Sequence, residues 1–169
     1  MNKYVLITSG VLANKIEIRK DNNNGEILYT TSKSLLSRFL LLAIRPWYNP
    51  VNFVLKGHNG INDLKIRTVA KDHSVLIEND TEIGSLKGRK LIDTNYNFSI
   101  SLDKESYFFK GDPLVLLTKA YKNNIEIGSF KIYNQTFPHF DWESTVGPDM
   151  DKRIAAVGLL YNYLIWSRV

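Results

Sequence analysis

The residues to weigh first for chemistry are the three histidines, His58, His73 and His139. Each falls in or near a stretch that reads as a turn. None has a second histidine, or a cysteine, at a spacing that holds zinc. The segment Phe137-Pro138-His139-Phe140-Asp141-Trp142 offers a base and a carboxylate to orient it, with Ser144 as the nearest nucleophile. Ser144 lacks the glycine elbow that exposes a catalytic hydroxyl, so the segment reads as a polar edge or loop with aromatic packing. Close carboxylates lead no further. Asp149 and Asp151 fit helix capping, with Asp149 as the N-cap, and Asp141 with Glu143 fits a solvated loop edge. The dispersed glycines form neither of the common phosphate-cradling patterns, and no acidic run resembles a calcium loop. No catalytic residue, metal site or cofactor is expected.

Binding chemistry is the better lead. The chain carries a formal charge of +5 and a sequence pI of about 9.3, a surplus that favours anionic partners or simply aids solubility. Its densest basic cluster is Lys87-Gly88-Arg89-Lys90. Lys65 and Arg67, two apart on one expected strand, share a face and extend that cluster if the fold brings them near. These five residues are the candidate anion or lipid-headgroup site, each such cation contributing about 1 kcal/mol near an anionic surface. The bland alternative is an ordinary solvated loop.

A second candidate is the segment 33–45 with the aromatic residues behind it. Leu35, Leu36, Phe39, Leu40 and Ala43 make a helical stripe, Arg38 and Arg45 lie near the other side, and Trp47 and Tyr48 follow. That pattern describes either an interfacial helix, with Phe39, Trp47 and Tyr48 meeting a membrane or partner, or a helix that plugs a barrel mouth. Nucleic acid ranks below lipid. Tyr107, Phe108 and Phe109 beside Lys110 superficially resemble a stacking platform, but successive strand residues point to opposite faces.

These side chains need a scaffold, and most of the chain reads as short strands. Lys15-Ile16-Glu17-Ile18-Arg19 alternates with period two, and Asp21-Asn22-Asn23-Asn24-Gly25 turns it back into 26–31. Further strands are expected at 52–56, 63–68, 74–78, 97–102, 107–110 and 114–121, separated by turn residues such as Asn79-Asp80 and Asn123-Asn124. Evenly punctuated short strands imply an antiparallel sandwich or barrel. An internal repeat sharpens this: Glu82-Ile83-Gly84-Ser85-Leu86-Lys87 returns 44 residues later as Glu126-Ile127-Gly128-Ser129-Phe130-Lys131. In each copy the apolar parity slips at the glycine, the mark of a β-bulge, and barrels use such bends to close.

Residues 154–166 (IAAVGLLYNYLIW) contain no charge. A helix apolar all round must be buried in protein or lipid. Thirteen residues reach roughly 20 Å, short of a bilayer's hydrocarbon layer, so a helix over 150–167 is expected inside the barrel and no transmembrane span is expected. Asn162 in mid-helix agrees, being tolerable beside barrel polar groups and costly in lipid. At 169 residues the chain fits a single domain, 1–169; the absence of cysteine suits a reducing compartment. The start MNKYVLITSG has no signal-peptide pattern.

Taken together, the repeated hairpins with Ile-Gly-Ser (83–85 and 127–129) and the Asp-initiated apolar helix at 149–166 resemble the tubby C-terminal-like superfamily. The likeness is to its small bacterial branch, related to LURP-one-related proteins and phospholipid scramblases. The resemblance implies a closed antiparallel barrel of about twelve strands around a buried C-terminal helix, with the 33–45 helix additional. Tubby domains proper bind phosphoinositide headgroups through surface cations, but their binding motif is not found here residue by residue. The expectation is a non-enzymatic cytoplasmic binding module, peripheral to the membrane, that docks on anionic phospholipid or an acidic protein. The rival expectation is a structural or protein-interaction module without lipid affinity.

Overall fold

The computed structural model describes residues 1–10, 14–32, 52–70, 72–88, 96–112, 114–136 and 139–166. The first six strands are β1 Asn2–Ser9, β2 Lys15–Lys20, β3 Ile27–Ser32, β4 Phe53–Gly57, β5 Leu64–Ala70 and β6 His73–Glu78. The other six are β7 Thr81–Lys87, β8 Tyr96–Leu102, β9 Glu105–Asp112, β10 Leu117–Lys122, β11 Ile125–Thr136 and β12 His139–Val146. One helix, α1 Lys152–Trp166, follows. Each strand pairs antiparallel with its neighbours in sequence, and β12 closes on β1, giving an up-and-down barrel with no free edge.

Period-two alternation is what faces the strands. On β5, Leu64 and Ile66 are buried while Lys65 and Arg67 stand outside; on β9, Tyr107 and Phe109 are buried while Phe108 and Lys110 stand outside. Tight turns are supplied by residues that accept positive φ: Asn79 and Asp80, Asp103 and Lys104, and Asn123 and Asn124 all lie in the left-handed region.

The expected bulges are present in both repeats. Leu76 faces Gly84 and Ile77 faces Glu82, so Ile83 is the extra residue; likewise Ala120 faces Gly128, Tyr121 faces Glu126, and Ile127 is extra. The freed carbonyls are used alike, Ile83 accepting from Asp103 N–H at 3.1 Å and Ile127 from Gly147 N–H at 2.7 Å. Gly84 lies against the backbone of Ser101 and Gly128 against Thr145 and Val146, leaving no room for a Cβ. The 44-residue repeat therefore extends beyond one hairpin arm: β6–β7–β8 and β10–β11–β12 are the same unit.

α1 begins at Asp151, whose carboxylate accepts the N–H of Arg153 at 2.7 Å. The N-cap is therefore Asp151 rather than the expected Asp149, because the turn at Gly147 holds Met150 back against the core. From Ile154 to Ile165 every helix residue is buried, enclosed by the inward rows of Leu6, Leu55, Leu64, Ile100, Phe109, Phe130 and Trp142. Asn162 is fully buried. Its oxygen accepts the Thr118 hydroxyl at 2.6 Å, and its amide donates to the Gly158 carbonyl at 2.8 Å. The barrel wall thus supplies the polar partner that lipid would not.

Thr118→Val removes that donor and leaves the Asn162 oxygen buried with one partner fewer. The expected loss is about 1–3 kcal/mol in urea unfolding. The double variant Thr118→Val/Asn162→Leu is expected to recover part of it, since both polar partners are then gone.

Three strand expectations need correction. β1 and β12 were not anticipated, and β10 starts at Leu117 rather than 114. β1 carries Tyr4, Val5 and Leu6 buried in succession, which hides its alternation, and β12 buries Asp141 and Ser144, which hides its apolar face. The helix expected at 33–45 lies outside the described residues.

Candidate functional site

An up-and-down barrel sorts its turns: every second one lies at the same end. The end where α1 begins, called lower here, holds the turns after β2, β4, β6, β8 and β10. All five are acidic. They carry Asp21 and Glu26, Asp63, Asp80 flanked by Glu78 and Glu82, Asp103 with Glu105, and Glu126. Asp149 and Asp151 add to this end at the helix start. Most of the chain's 17 acidic residues are therefore gathered here.

Several cations at this end are already matched. Arg153 donates to Asp151 and Asp103 at 2.7 Å each and reaches Glu78 at 3.4 Å. Its pKa is raised, above all by the hydrogen bond to Asp151. Burial pushes the Asp151 carboxyl up, but the Arg153 side chain and N–H outweigh it and hold the group below its ordinary value. Lys122 pairs with Glu105 at 2.7 Å, and Lys65 with Asp80 at 2.6 Å. Among the described residues, Lys20, Lys56, Lys104 and Lys152 lack an ion pair toward this end, and all but Lys56 stand amid its acids.

The upper end has the opposite character. Lys15 opens β2, Arg67 and Lys87 lie late on β5 and β7, and Lys110 lies late on β9. All four are exposed and make no ion pair among the described residues. Arg67 faces Val75 and Lys87 faces His73 across β6, placing both on one outward surface, two strands and one pleat repeat apart. That corresponds to roughly 12 Å between their backbones. Among the described residues, Asp72 and Asp112 are the acids near these turns. Between β3 and β4 only Tyr29–Gly57 and Thr30–Lys56 are paired. Beyond them the strands part into a groove of about 590 Å³, with Lys15, Thr30, Thr31, Asn52 and Lys56 in its lining.

The residues expected from sequence divide accordingly. Arg67 and Lys87 are brought together. Lys65 shares the Arg67 face but is drawn down to Asp80, so it belongs to the lower end. Arg89, Lys90, Phe39, Trp47 and Tyr48 lie outside the described residues. Lys15 and Lys110 were missed, although a signal existed: once hairpins are assigned, alternate turns share an end, and the acids recur at every second turn.

Within the stretch expected as a polar edge or loop, residues 139–142 belong to strand β12. Asp141 accepts the Thr8 N–H at 2.8 Å and hydroxyl at 3.1 Å, and its other oxygen accepts from Asn134 at 3.0 Å. Ser144 is buried, with its hydroxyl directed at the Tyr4 carbonyl at 3.4 Å. Glu143 is not on a solvated loop either. It bridges Lys3 at 2.7 Å and Lys131 at 3.0 Å, and those lysines hold its pKa down against the opposing push of burial. His58 shares a hydrogen bond of 2.9 Å with Thr30. Among the described residues no group of three potential ligands converges on a metal position, and no helix is long and apolar enough to cross a membrane. Comparison with known proteins finds no matching family model, curated protein or solved structure.

Proposed function

We propose that this barrel is a non-enzymatic, cytoplasmic module of tubby-like kind that docks on anionic phospholipid with its upper end, peripheral to the membrane. The single observation that carries the reading is the separation of charge along the barrel axis. Acidic turns crowd the end where α1 begins, and exposed cations without ion pairs ring the other. An anionic surface attracts one end and repels the other, so the molecule is oriented as well as bound. The internal repeat and the enclosed apolar helix support the tubby-like assignment.

Co-sedimentation with phosphatidylcholine vesicles, with and without phosphatidylserine, tests this. Binding is expected only with the anionic lipid, and it should weaken as salt shortens the screening length. Neutralising both Arg67→Gln and Lys87→Gln removes about 2 kcal/mol, a loss of roughly 30-fold in affinity. The matched pair Lys20→Gln and Lys104→Gln, at the lower end, is expected to change binding less than roughly twofold. Equal recovery on neutral and anionic vesicles at low salt would sink the proposal and favour a protein-interaction module.

A further inference from the structure

The turn after β9 points to how such docking would be anchored. Leu114 is 91 % exposed and Val115 63 % exposed, although a chain of this length has ample core to receive them. The turn itself sets them outside. Asp112 Oδ1 accepts the Leu114 N–H at 2.9 Å, and Leu116 takes φ of 51°, a left-handed value unusual for leucine. Leu116 packs on the core, so the two residues before it project beyond the upper rim. A leucine held at positive φ costs about 1–2 kcal/mol, which the packing of Leu116 on the core must offset.

Charge selects the occupant. Lys110 lies on β9 two residues before the turn begins, and the same end carries Arg67 and Lys87, whereas Lys119, opposite Lys110 on β10, is paired with Glu126 at 2.9 Å. Asp112 is the acid in the turn, its Oδ1 engaged by the backbone. An apolar tip within a cationic collar suits a bilayer with anionic headgroups, where the collar meets phosphate and the tip enters the acyl boundary. Ile125, 68 % exposed at the lower end, has the reverse setting beside Glu126 and is disfavoured by the same surface.

We infer that Leu114 and Val115 form an apolar anchor that inserts into an anionic bilayer when the barrel docks, an inference that rests on the docking reading above. The chain has no cysteine, so Leu114→Cys and Ile125→Cys each accept one environment-sensitive fluorophore at a unique site. On phosphatidylserine-containing vesicles the label at 114 is expected to brighten and shift to the blue, and the label at 125 to stay aqueous. The unlabelled variant Leu114→Ala/Val115→Ala is expected to bind such vesicles roughly tenfold more weakly with its unfolding midpoint unchanged.

Co-sedimentation of both labelled proteins with neither label responding overturns the anchor while docking stands. A response at 125 instead of 114 overturns the anchor and the charge-based orientation together. A response at 114 that grows with protein concentration and needs no vesicles assigns the tip to a second copy of the chain, and overturns the anchor. No co-sedimentation at all removes the docking reading, and the anchor falls with it.

Discussion

Gly158→Leu is expected to destabilise the protein by about 3 kcal/mol, read as a lowered urea midpoint at unchanged slope. A Cβ at Gly158 would already lie 3.1 Å from the rings of Phe109 and Phe130, closer than comfortable contact. Those rings cannot retreat easily, because Phe109 packs edge-on to Phe130 at 5.5 Å between centroids and stacks on Phe98 at 4.4 Å. Four added carbons therefore force rotamer or backbone shifts throughout the inner aromatic layer. The sign of the change is informative. On a helix exposed to water, the same substitution would stabilise by about 0.8–1 kcal/mol through helix propensity alone. A stabilised variant would mean that α1 is not enclosed.

Arg153→Met is the second substitution with a large expected effect, about 2–3 kcal/mol. The Arg153 side chain is 20 % exposed, and its guanidinium neutralises Glu78, Asp103 and Asp151 from β6, the β8–β9 turn and the helix start. Without it these carboxylates face one another at a partly buried junction. Solvent reaches Asp103, which is 58 % exposed, and this keeps the cost below that of a fully buried pair.

The pH dependence weakens with the substitution. In the native protein the folded pKa of Asp151 is depressed, so its contribution is complete above the ordinary carboxylate value of about 4 and is lost as pH falls through the folded value. In Arg153→Met the side-chain hydrogen bonds and charge are gone and only the residue-153 N–H and Lys152 still oppose burial, so the loss of stability on acidification toward about pH 4 should be shallower. Urea midpoints between about pH 3 and 7 separate the two slopes. Parallel curves for both proteins would show that the cluster is not formed.

The helix and the hairpins were legible because they are local events. Thirteen uncharged residues leave a helix nowhere to go but inside something, and Asn79-Asp80 or Asn123-Asn124 dictates a tight return. The bulges at Ile83 and Ile127 were legible for a related reason, since a parity slip at glycine repeats in two copies. What escaped was whatever depends on closure. β1 shows no alternation because Val5 is covered outside by its neighbours, lying beside Tyr133 and Glu143. β12 looked like a polar loop because Asp141 reaches across to Thr8, 133 residues away, a partner that exists only once the barrel shuts.

The candidate site was partly legible in the same sense. Arg67 and Lys87 share an outward surface. Lys65 looks equivalent to Arg67 on its strand, yet its ammonium reaches Asp80, 15 residues away. Lys15 and Lys110 are isolated cations in the sequence. They acquire meaning only when strand direction places them at the same end of the barrel.

The central structural claim is that α1 is sheathed by the closed barrel, whose up-and-down order also sorts the charged turns to two ends. Native-state hydrogen exchange tests this most directly. The amides of residues 155–164 are expected to exchange only through global unfolding, at the same free energy and denaturant dependence as the central strands. Exchange of those amides through a local opening, faster than that of the surrounding strands, would contradict the enclosed helix.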